Sequence, residues 1–469
     1  MSLESKKTVF MIGVGGIGMS ALARYFILKG KKVFGYDKSK SNLTKQLEHE
    51  GVKLCYTDDL ESLPENIKLR NKYKHSVLII YTPAVSKQNK FLRYFNKNQF
   101  NVVKRSDVLA EITKDEFTIA VSGTHGKTTT ATALTHFLKH SGFNVTAFLG
   151  GISNNYKTNL IYSKNPDFII VEADEYDRSF LKLYPNIAII TSVDPDHLDV
   201  YKTSKNFQDA FKQFASQIKP NGFLIYEDSI KINFSTLTNV SHLRYSCENK
   251  SDVYADNYRI VEGDVRYDMF VNLTHTAILE DKRKLENISL KMPGKHNLSN
   301  FLAASSVSLL LGSTLNDIYN ASENFEGVSR RFDKHIDKED LIYIDDYAHH
   351  PGEITATINT TKLLYPSKNL TVVFQPHLFS RTKDFAIEFA DSLKAADCLV
   401  LLDIFPSREN PISGVNSTML LNLCTNKKKE ICSKNELVPL LTKKKLDVLL
   451  TLGAGDISNL VEPIKHTLN

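Results

Sequence analysis

The sequence predicts an α/β protein of three domains built on parallel sheets. Three observations carry this. Apolar runs of strand length alternate with helical patterns almost throughout the chain. Two of those runs lead straight into glycine-rich turns that open helices, at residues 13–18 and 123–126. Finally, 469 residues exceed what one core holds, since single cores stop growing near roughly 250–300 residues.

The elements follow in order. Residues 8–12 form a strand that enters Gly13-Val14-Gly15-Gly16-Ile17-Gly18, and a helix runs from Met19 to about Lys29, stopped by Gly30. A second strand at 32–36 ends in Asp37, and strands at 77–81 and 101–103 complete a domain ending near Ala110. The next set opens with the buried strand 117–122, which enters Gly123-Thr124-His125-Gly126-Lys127-Thr128 and a helix stopped by Ser141-Gly142. Strands at 168–171, 187–191 and 223–226 each deliver or lead into a polar motif. From about 251 to 292 the alternation shortens to period two, which predicts an antiparallel β insertion rather than another βαβ unit. The last set starts near Gly327, where a strand at 341–344 leads into Asp345-Asp346-Tyr347-Ala348-His349-His350-Pro351. Strands at 370–374, 398–402 and 446–452 continue it. The expected domains are therefore 1–110, 111–326 and 327–469.

Composition excludes several function classes. Hydrophobic residues at 42% and charged residues at 24% supply apolar surface for several cores and carry no signature of disorder. No run approaches the roughly 18–20 apolar residues of a membrane span, and the first strand follows no long apolar segment, so a cytoplasmic chain without a membrane partner is expected. Cys55, Cys247, Cys398, Cys424 and Cys432 are odd in number, scattered and without metal-ligand spacing, which reads as reduced thiols. The net charge of +6 suits anionic ligands. Its clusters, such as Lys427 to Lys429 and Lys443 to Lys445, lack aromatic interleaving, so no nucleic-acid partner is expected.

The first glycine turn, Gly13-x-Gly15-x-x-Gly18 with Gly16 and Ile17 inside it, lets the backbone approach a pyrophosphate facing the helix N-terminus. Alone it would suggest NAD, with Asp37 either on a ribose hydroxyl or solvated at the strand end. The second turn is more informative. Gly123, Thr124, Gly126, Lys127, Thr128 and Thr129 form a shortened phosphate loop, in which backbone N–H groups nest a triphosphate, Lys127 bridges the β- and γ-phosphates and Thr128 offers a hydroxyl to Mg²⁺. Acidic strand ends suit the same chemistry, because phosphoryl transfer needs carboxylates to hold metal. They are Glu172-Ala173-Asp174-Glu175 and Asp194-Pro195-Asp196-His197-Leu198-Asp199. In the last set, the paired histidines have no third metal ligand in view, and polar contact with a carboxylate or acyl phosphate fits better, with Arg381 as a bidentate cation.

In these residues the chain resembles the Mur ligases. The strings that carry the resemblance are GVGGIGMSALA, SGTHGKTTT, EADEYD, SVDPDHLDVY, GKHNLSN, SRRF, DDYAHHP, FQPHLFSRT and FPSRENPISGV, spread in order over nearly the whole chain. The resemblance implies an N-terminal Rossmann-like domain for a UDP moiety, a central P-loop ATPase-like domain with a mixed sheet, and a C-terminal Rossmann-like domain. It implies ATP and Mg²⁺ at Lys127 and Thr128, a second metal on Glu172 and His197, and His125 facing the sugar acid. Asn297, Asn300 and Arg331 become ATP contacts, and Asp345, His349 and Arg381 complete the site on domain closure. The strings SVDPDHLDVY and FPSRENPISGV favour members that add L-alanine to UDP-N-acetylmuramate over those that attach a tripeptide to it. Two other readings compete: an NAD-dependent oxidoreductase, which leaves the phosphate loop unexplained, and a nucleotide-binding regulator without turnover, which the intact Lys127, Glu172, His197 and Arg381 disfavour.

Two positions depart from the simple pattern. Leu378 stands where many members carry a second arginine, which places more of the amino-acid carboxylate on Arg381. Lys212 lies fifteen residues after His197 on an expected helix from Asn206 to about Ile218. That spacing resembles members whose lysine is a carbamate, whereas its place beside the apolar stripe Phe207, Ala210, Phe211, Phe214 and Ala215 reads as an ordinary solvated lysine.

Overall fold

The computed structural model describes residues 3–68, 74–194, 198–261, 264–272, 284–407 and 409–469. They form two compact units, one of residues 1–256, 268–286 and 299–326, the other of residues 257–267, 287–298 and 327–469. The first sheet contains β1 (Thr8–Ile12), β2 (Lys32–Tyr36), β3 (Lys53–Cys55), β4 (Val77–Tyr81) and β5 (Val102–Lys104) in the order β3-β2-β1-β4-β5, all parallel. β1 is buried along its whole length, with Val9 and Met11 in one cluster and Phe10 and Ile12 in another beside Phe91 and Phe95. A strand apolar on both faces must be covered on both. The strand order reverses between β1 and β4, which sets a crevice at their C-terminal ends next to the glycine turn.

The second sheet is mixed. Its strands are β6 (Thr118–Ser122), β7 (Val145–Ser153), β8 (Thr158–Ile161), β9 (Phe168–Glu172), β10 (Ile187–Ile190), β11 (Phe223–Glu227), β12 (Ser241–Ser246), β13 (Val253–Val261), β14 (Asp264–Val271) and β15 (Lys284–Leu290). They run in the order β15-β14-β13-β12-β11-β10-β6-β9-β7-β8. β7 and β8 pair antiparallel, while β6 pairs parallel with both β9 and β10. The period-two segment is thus the set β13 to β15, placed side by side at one end of this sheet.

The third sheet holds β16 (Asp333–Asp337), β17 (Ile342–Asp346), β18 (Leu370–Phe374), β19 (Cys398–Leu401), β20 (Lys428–Ile431) and β21 (Val448–Leu452), in the order β16-β17-β21-β18-β19-β20. Only β16 is antiparallel to its neighbour. Expected strands at 8–12, 32–36, 77–81 and 370–374 coincide with the observed ones. β9 and β17 run further than expected, into Glu172 and Asp345-Asp346, because the sheet carries these carboxylates in extended backbone at its C-terminal edge. The strands that sequence reading passed over include β3, β16 and β20, which are short edge strands rich in lysine and aspartate, residues that blunt a sheet edge.

The helix Ser204–Ser216 buries Phe207, Ala210, Phe211, Phe214 and Ala215, as its stripe predicts, and Thr203 caps it by accepting the Asn206 N–H at 3.1 Å. Lys212 is exposed beside this stripe. An exposed amine keeps its hydration, which disfavours carbamate formation.

The helix Lys127–His140 behind the second turn carries a buried histidine. His136 Nε2 lies 3.1 Å from the Ala321 carbonyl and Nδ1 lies 3.1 Å from the Tyr156 hydroxyl. A carbonyl only accepts, so Nε2 carries the proton and Nδ1 accepts from the tyrosine. Burial pushes the imidazole down to about 4. The unfolded chain then binds this proton first, so stability is intact above pH 6.5 and falls as pH drops toward 4. Urea unfolding at pH 7.5 and 5.0 should show the native chain losing about 2 kcal/mol more than His136→Gln over that interval. Equal losses in the two proteins would contradict this role.

Candidate active site

The glycine turn after β1 is closed by Asp37. Its carboxylate accepts the Gly15 N–H at 2.8 Å and the Ser39 N–H at 3.1 Å, so in this structure Asp37 shapes the turn. Gly13 adopts a left-handed φ of +82°, which lets its N–H and that of Val14 both reach the Tyr36 carbonyl. Gly16 caps the helix Ile17–Leu28, with Ile17 and Gly18 in its first turn. That helix is fixed on the second sheet by the fully buried Asn159. Its amide donates to the Ile17 carbonyl at 2.6 Å and to Ser20 Oγ at 2.9 Å, and its oxygen accepts from Arg24, which also pairs with Glu50 at 2.8 Å.

The phosphate loop joins β6 to the helix Lys127–His140. Gly123 and Gly126 sit at φ +134° and +84°. A side chain at either would collide with Thr191 or Asn300 respectively, so both glycines are fixed by space as well as by backbone. The loop is tied to the β10 end: Thr124 Oγ1 donates to the Asp194 carbonyl at 2.7 Å, the His125 N–H donates to Ser192 Oγ at 3.0 Å, and Thr191 Oγ1 donates to the His125 carbonyl at 2.5 Å. The His125 side chain is left at the exposed crown. Asn300 is buried beneath the loop, accepting from Thr130 Oγ1 at 3.2 Å, and Thr129 is buried beside it.

Two carboxylates from the end of β9 complete this site. Lys127 Nζ lies 2.9 and 3.0 Å from the Glu175 oxygens and 2.5 Å from the Gly123 carbonyl. Glu175 is 1% exposed, and burial pushes its carboxyl up against the pull of Lys127. Thr128 Oγ1 donates to Glu172 Oε2 at 3.0 Å, and the other Glu172 oxygen accepts the Gly150 N–H. Burial raises the Glu172 carboxyl, and the Gly150 N–H, Lys127 and Thr128 oppose the rise. A hydroxyl and a carboxylate this close are hard oxygen donors that suit Mg²⁺. No group of three or more His, Cys, Asp or Glu ligands occurs among the described residues, and His197 lies outside them.

The C-terminal motifs gather at the ends of β17 and β18. Asp345 is fully buried, paired with Arg330 Nε at 3.0 Å and accepting from Thr451 Oγ1 at 2.7 Å. Asp346 accepts the Phe332 and Ala348 N–H groups, each at 2.7 Å, and burial pushes it up to about 6. Arg330 and Phe332 are both left-handed, at φ +64° and +49°, and this tight turn lays Arg331 over the Tyr347 ring at 5.2 Å. His349 Nδ1 lies 3.1 Å from the Tyr347 carbonyl and 3.3 Å from Glu353. Burial lowers the His349 imidazole; Glu353 opposes this, while Arg381 and Arg331 reinforce it. His350 is spent elsewhere, capping the helix Pro351–Leu364 with its ring 5.1 Å from Phe385. Arg381 sits in the helix Phe379–Asp384, and its Nη1 is buried without a hydrogen-bond partner among the described residues. Asn297 is buried, donating to the Pro293 carbonyl at 3.0 Å.

Glu175, Asp346 and Thr191 were not singled out from the sequence. Glu175 stood inside the acidic string, but its role depends on a partner 48 residues away. No span of the described residues is long and apolar enough to form a membrane helix.

Models of known families match three stretches of the chain: the "Mur ligase family, catalytic domain" at residues 8–117, the "Mur ligase middle domain" at 121–308 and the "Mur ligase, glutamate ligase domain" at 330–455. The chain is 45% identical over 469 residues to UDP-N-acetylmuramate–L-alanine ligase of Flavobacterium psychrophilum, with 100% of each chain covered. It is 42% identical over 468 residues to the same enzyme of Parabacteroides distasonis, covering 100% of this chain and 98% of the relative. Among solved structures, UDP-N-acetylmuramate–alanine ligase of Thermotoga maritima matches with a TM-score of 0.82 at 25% identity, over 98% of this chain and 99% of that one. A murein peptide ligase of Psychrobacter arcticus shares the fold, with a TM-score of 0.69 at 20% identity over 98% of each chain. With three domain models matched in order and full-length identity above 40%, the chain belongs to the Mur ligase family.

Proposed function

We propose that this chain is an ATP-dependent ligase that joins L-alanine to the carboxylate of UDP-N-acetylmuramate, in peptidoglycan precursor synthesis in the cytoplasm. The observation that carries the chemistry is the phosphate loop with Lys127 held at 2.9 Å by Glu175 and Thr128 at 3.0 Å from Glu172. Full-length identity of 41–45% to ligases of that name supports the choice of substrates. We take residues 1–110, 111–326 and 327–469 as its UDP-binding, ATP-binding and amino-acid-binding domains.

The reaction proceeds in two steps. A carboxylate oxygen of the sugar acid attacks the γ-phosphorus of ATP, and ADP leaves. The amine of L-alanine attacks the acyl carbon, and phosphate leaves with the former carboxylate oxygen. Lys127 and the loop N–H groups hold the triphosphate and meet the charge that develops on it. Thr128, Glu172 and His197 would hold Mg²⁺, which supplies charge neutralisation at the transferring phosphoryl group. Arg381, whose buried Nη1 lacks a hydrogen-bond partner among the described residues, binds the alanine carboxylate, and His349, held neutral by burial, takes a proton from the amine. Asn297, Asn300, Arg331 and Asp345 shape or contact the nucleotide side, and His125 faces the sugar acid.

Phosphate release from ATP with UDP-N-acetylmuramate, assayed separately with L-alanine, glycine, L-serine and the tripeptide, tests the assignment. L-Alanine should stimulate most; stimulation by the tripeptide alone would replace this reading with the peptide-attaching one. Lys127→Ala should cut kcat/KM by at least about 100-fold, as loss of a transition-state donor does. It should also destabilise the fold by about 3 kcal/mol, because Glu175 is left buried without its cation. The double variant Lys127→Ala/Glu175→Gln should regain stability and not activity, and a single variant as stable as the native chain would refute the buried pair. Arg381→Lys should raise KM for L-alanine by about 10-fold and leave KM for ATP within about twofold, since an ammonium cannot make the bidentate fork. Equal increases would place Arg381 on the phosphoryl group.

A further inference from the structure

We propose that Arg105 is a specificity-determining residue that binds the diphosphate of the acceptor, making the first site select a nucleoside diphosphate over a monophosphate. The proposal rests on the reading of the glycine turn as the UDP site. It begins from the third glycine. A Cβ on Gly18 would overlap the Arg105 guanidinium, so the absence of a side chain there makes room for a cation from a distant segment.

The topology explains why the two meet. Arg105 is the first residue of the helix Arg105–Thr113, directly after β5, and the glycine turn follows β1. Both lie at the C-terminal edge of one parallel sheet, on the strands flanking β4, beside the point where strand order reverses.

The Arg105 guanidinium is only loosely paired, its nearest carboxylate among the described residues standing at 3.8 Å. A guanidinium at Gly18 lies by the first turn of the helix Ile17–Leu28, where the positive end of the helix dipole favours an anion beside it. Neighbouring cations on this edge are neutralised at close range: Lys104 by Asp177 at 2.6 Å, and Lys182 by Asp107. The carboxylate facing Arg105 among the described residues, Asp174, stays at 3.8 Å, beyond hydrogen-bonding distance. A diphosphate cradled by the turn's N–H groups would supply the close anionic partner that Asp174 at 3.8 Å does not, with the guanidinium forking onto phosphate oxygens. A monophosphate lacks the second phosphate group and forgoes much of that gain. Asp174 lies one residue from Glu175, so the cation that reads the acceptor stands next to the segment that holds Lys127.

The test measures binding of UDP, UMP and Mg·ATP to the full chain by calorimetry, for the native protein, Arg105→Met and Arg105→Lys. Arg105→Met should weaken UDP by about 10- to 100-fold, the scale of a charged hydrogen-bonded contact, while UMP falls no more than about threefold and ATP is unchanged. Arg105→Lys should recover part of the UDP affinity, because it restores the charge without the fork. A UDP-to-UMP ratio unchanged in Arg105→Met, whether both ligands weaken or neither does, would overturn the proposal. Unaltered ATP affinity verifies that the variant is folded; if it is lost, the ratio in Arg105→Lys decides the matter on the same criterion. Failure of the native chain to bind UDP would remove the acceptor reading itself, an outcome distinct from an unchanged ratio.

Discussion

Lys127 and Glu175 form a charge pair with the carboxylate buried and the ammonium partly exposed, and the geometry of the phosphate loop hangs on it. A lysine at the start of a helix is disfavoured by the helix dipole, and a glutamate at 1% exposure is disfavoured by burial. Each offsets part of the other's penalty, and the Gly123 carbonyl at 2.5 Å closes the lysine back over the loop. The same strand end supplies Glu172 to Thr128, so one segment of four residues fixes both the cation and the hydroxyl of the loop. Replacing any one member leaves an uncompensated group in a site where water cannot reach it easily.

The structure extends this arrangement outward through hydrogen bonds of fixed sense. Glu172 is oriented by the Gly150 N–H of β7, and β7 pairs with β8, which carries Asn159. Asn159 in turn grips the first turn of the helix behind the glycine turn. Acceptor turn and phosphate loop are thereby mounted on one continuous set of strands. In the C-terminal sheet the adjacent aspartates divide their work, Asp345 holding Arg330 and Asp346 holding the Phe332 and Ala348 N–H groups. Both hold the turn at residues 330–332, Asp345 tying it to Thr451 of β21 and Asp346 to the Ala348 N–H.

Much of this was legible in the sequence because glycine turns and buried parallel strands are local facts. The loop from Gly123 to Thr128 and the strands that feed both turns need only neighbouring residues to be recognised. What stayed hidden depends on tertiary meetings. The Lys127–Glu175 pair, the Arg105 guanidinium over Gly18 and the Asn159 clamp each join distant segments whose individual residue types are unremarkable. Asp37 shows another long-range meeting: its place at the strand end was legible, but not that its carboxylate accepts the Gly15 N–H and shapes the turn. Leu378, noted as a departure from the family's pattern, adopts φ +70° immediately before the helix of Arg381. A left-handed leucine costs about 1 kcal/mol, so the chain holds this turn against its own preference where Arg381 is presented.

In the proposed reaction the sugar-acid carboxylate is activated by phosphorylation before the amine attacks. Turnover of UDP-N-acetylmuramate carrying ¹⁸O in both carboxylate oxygens, with ATP and L-alanine, tests it most directly. Mass spectrometry of the released inorganic phosphate should find one ¹⁸O per molecule, the oxygen that attacked the γ-phosphorus. Phosphate free of label, released together with the amide product, would contradict the account.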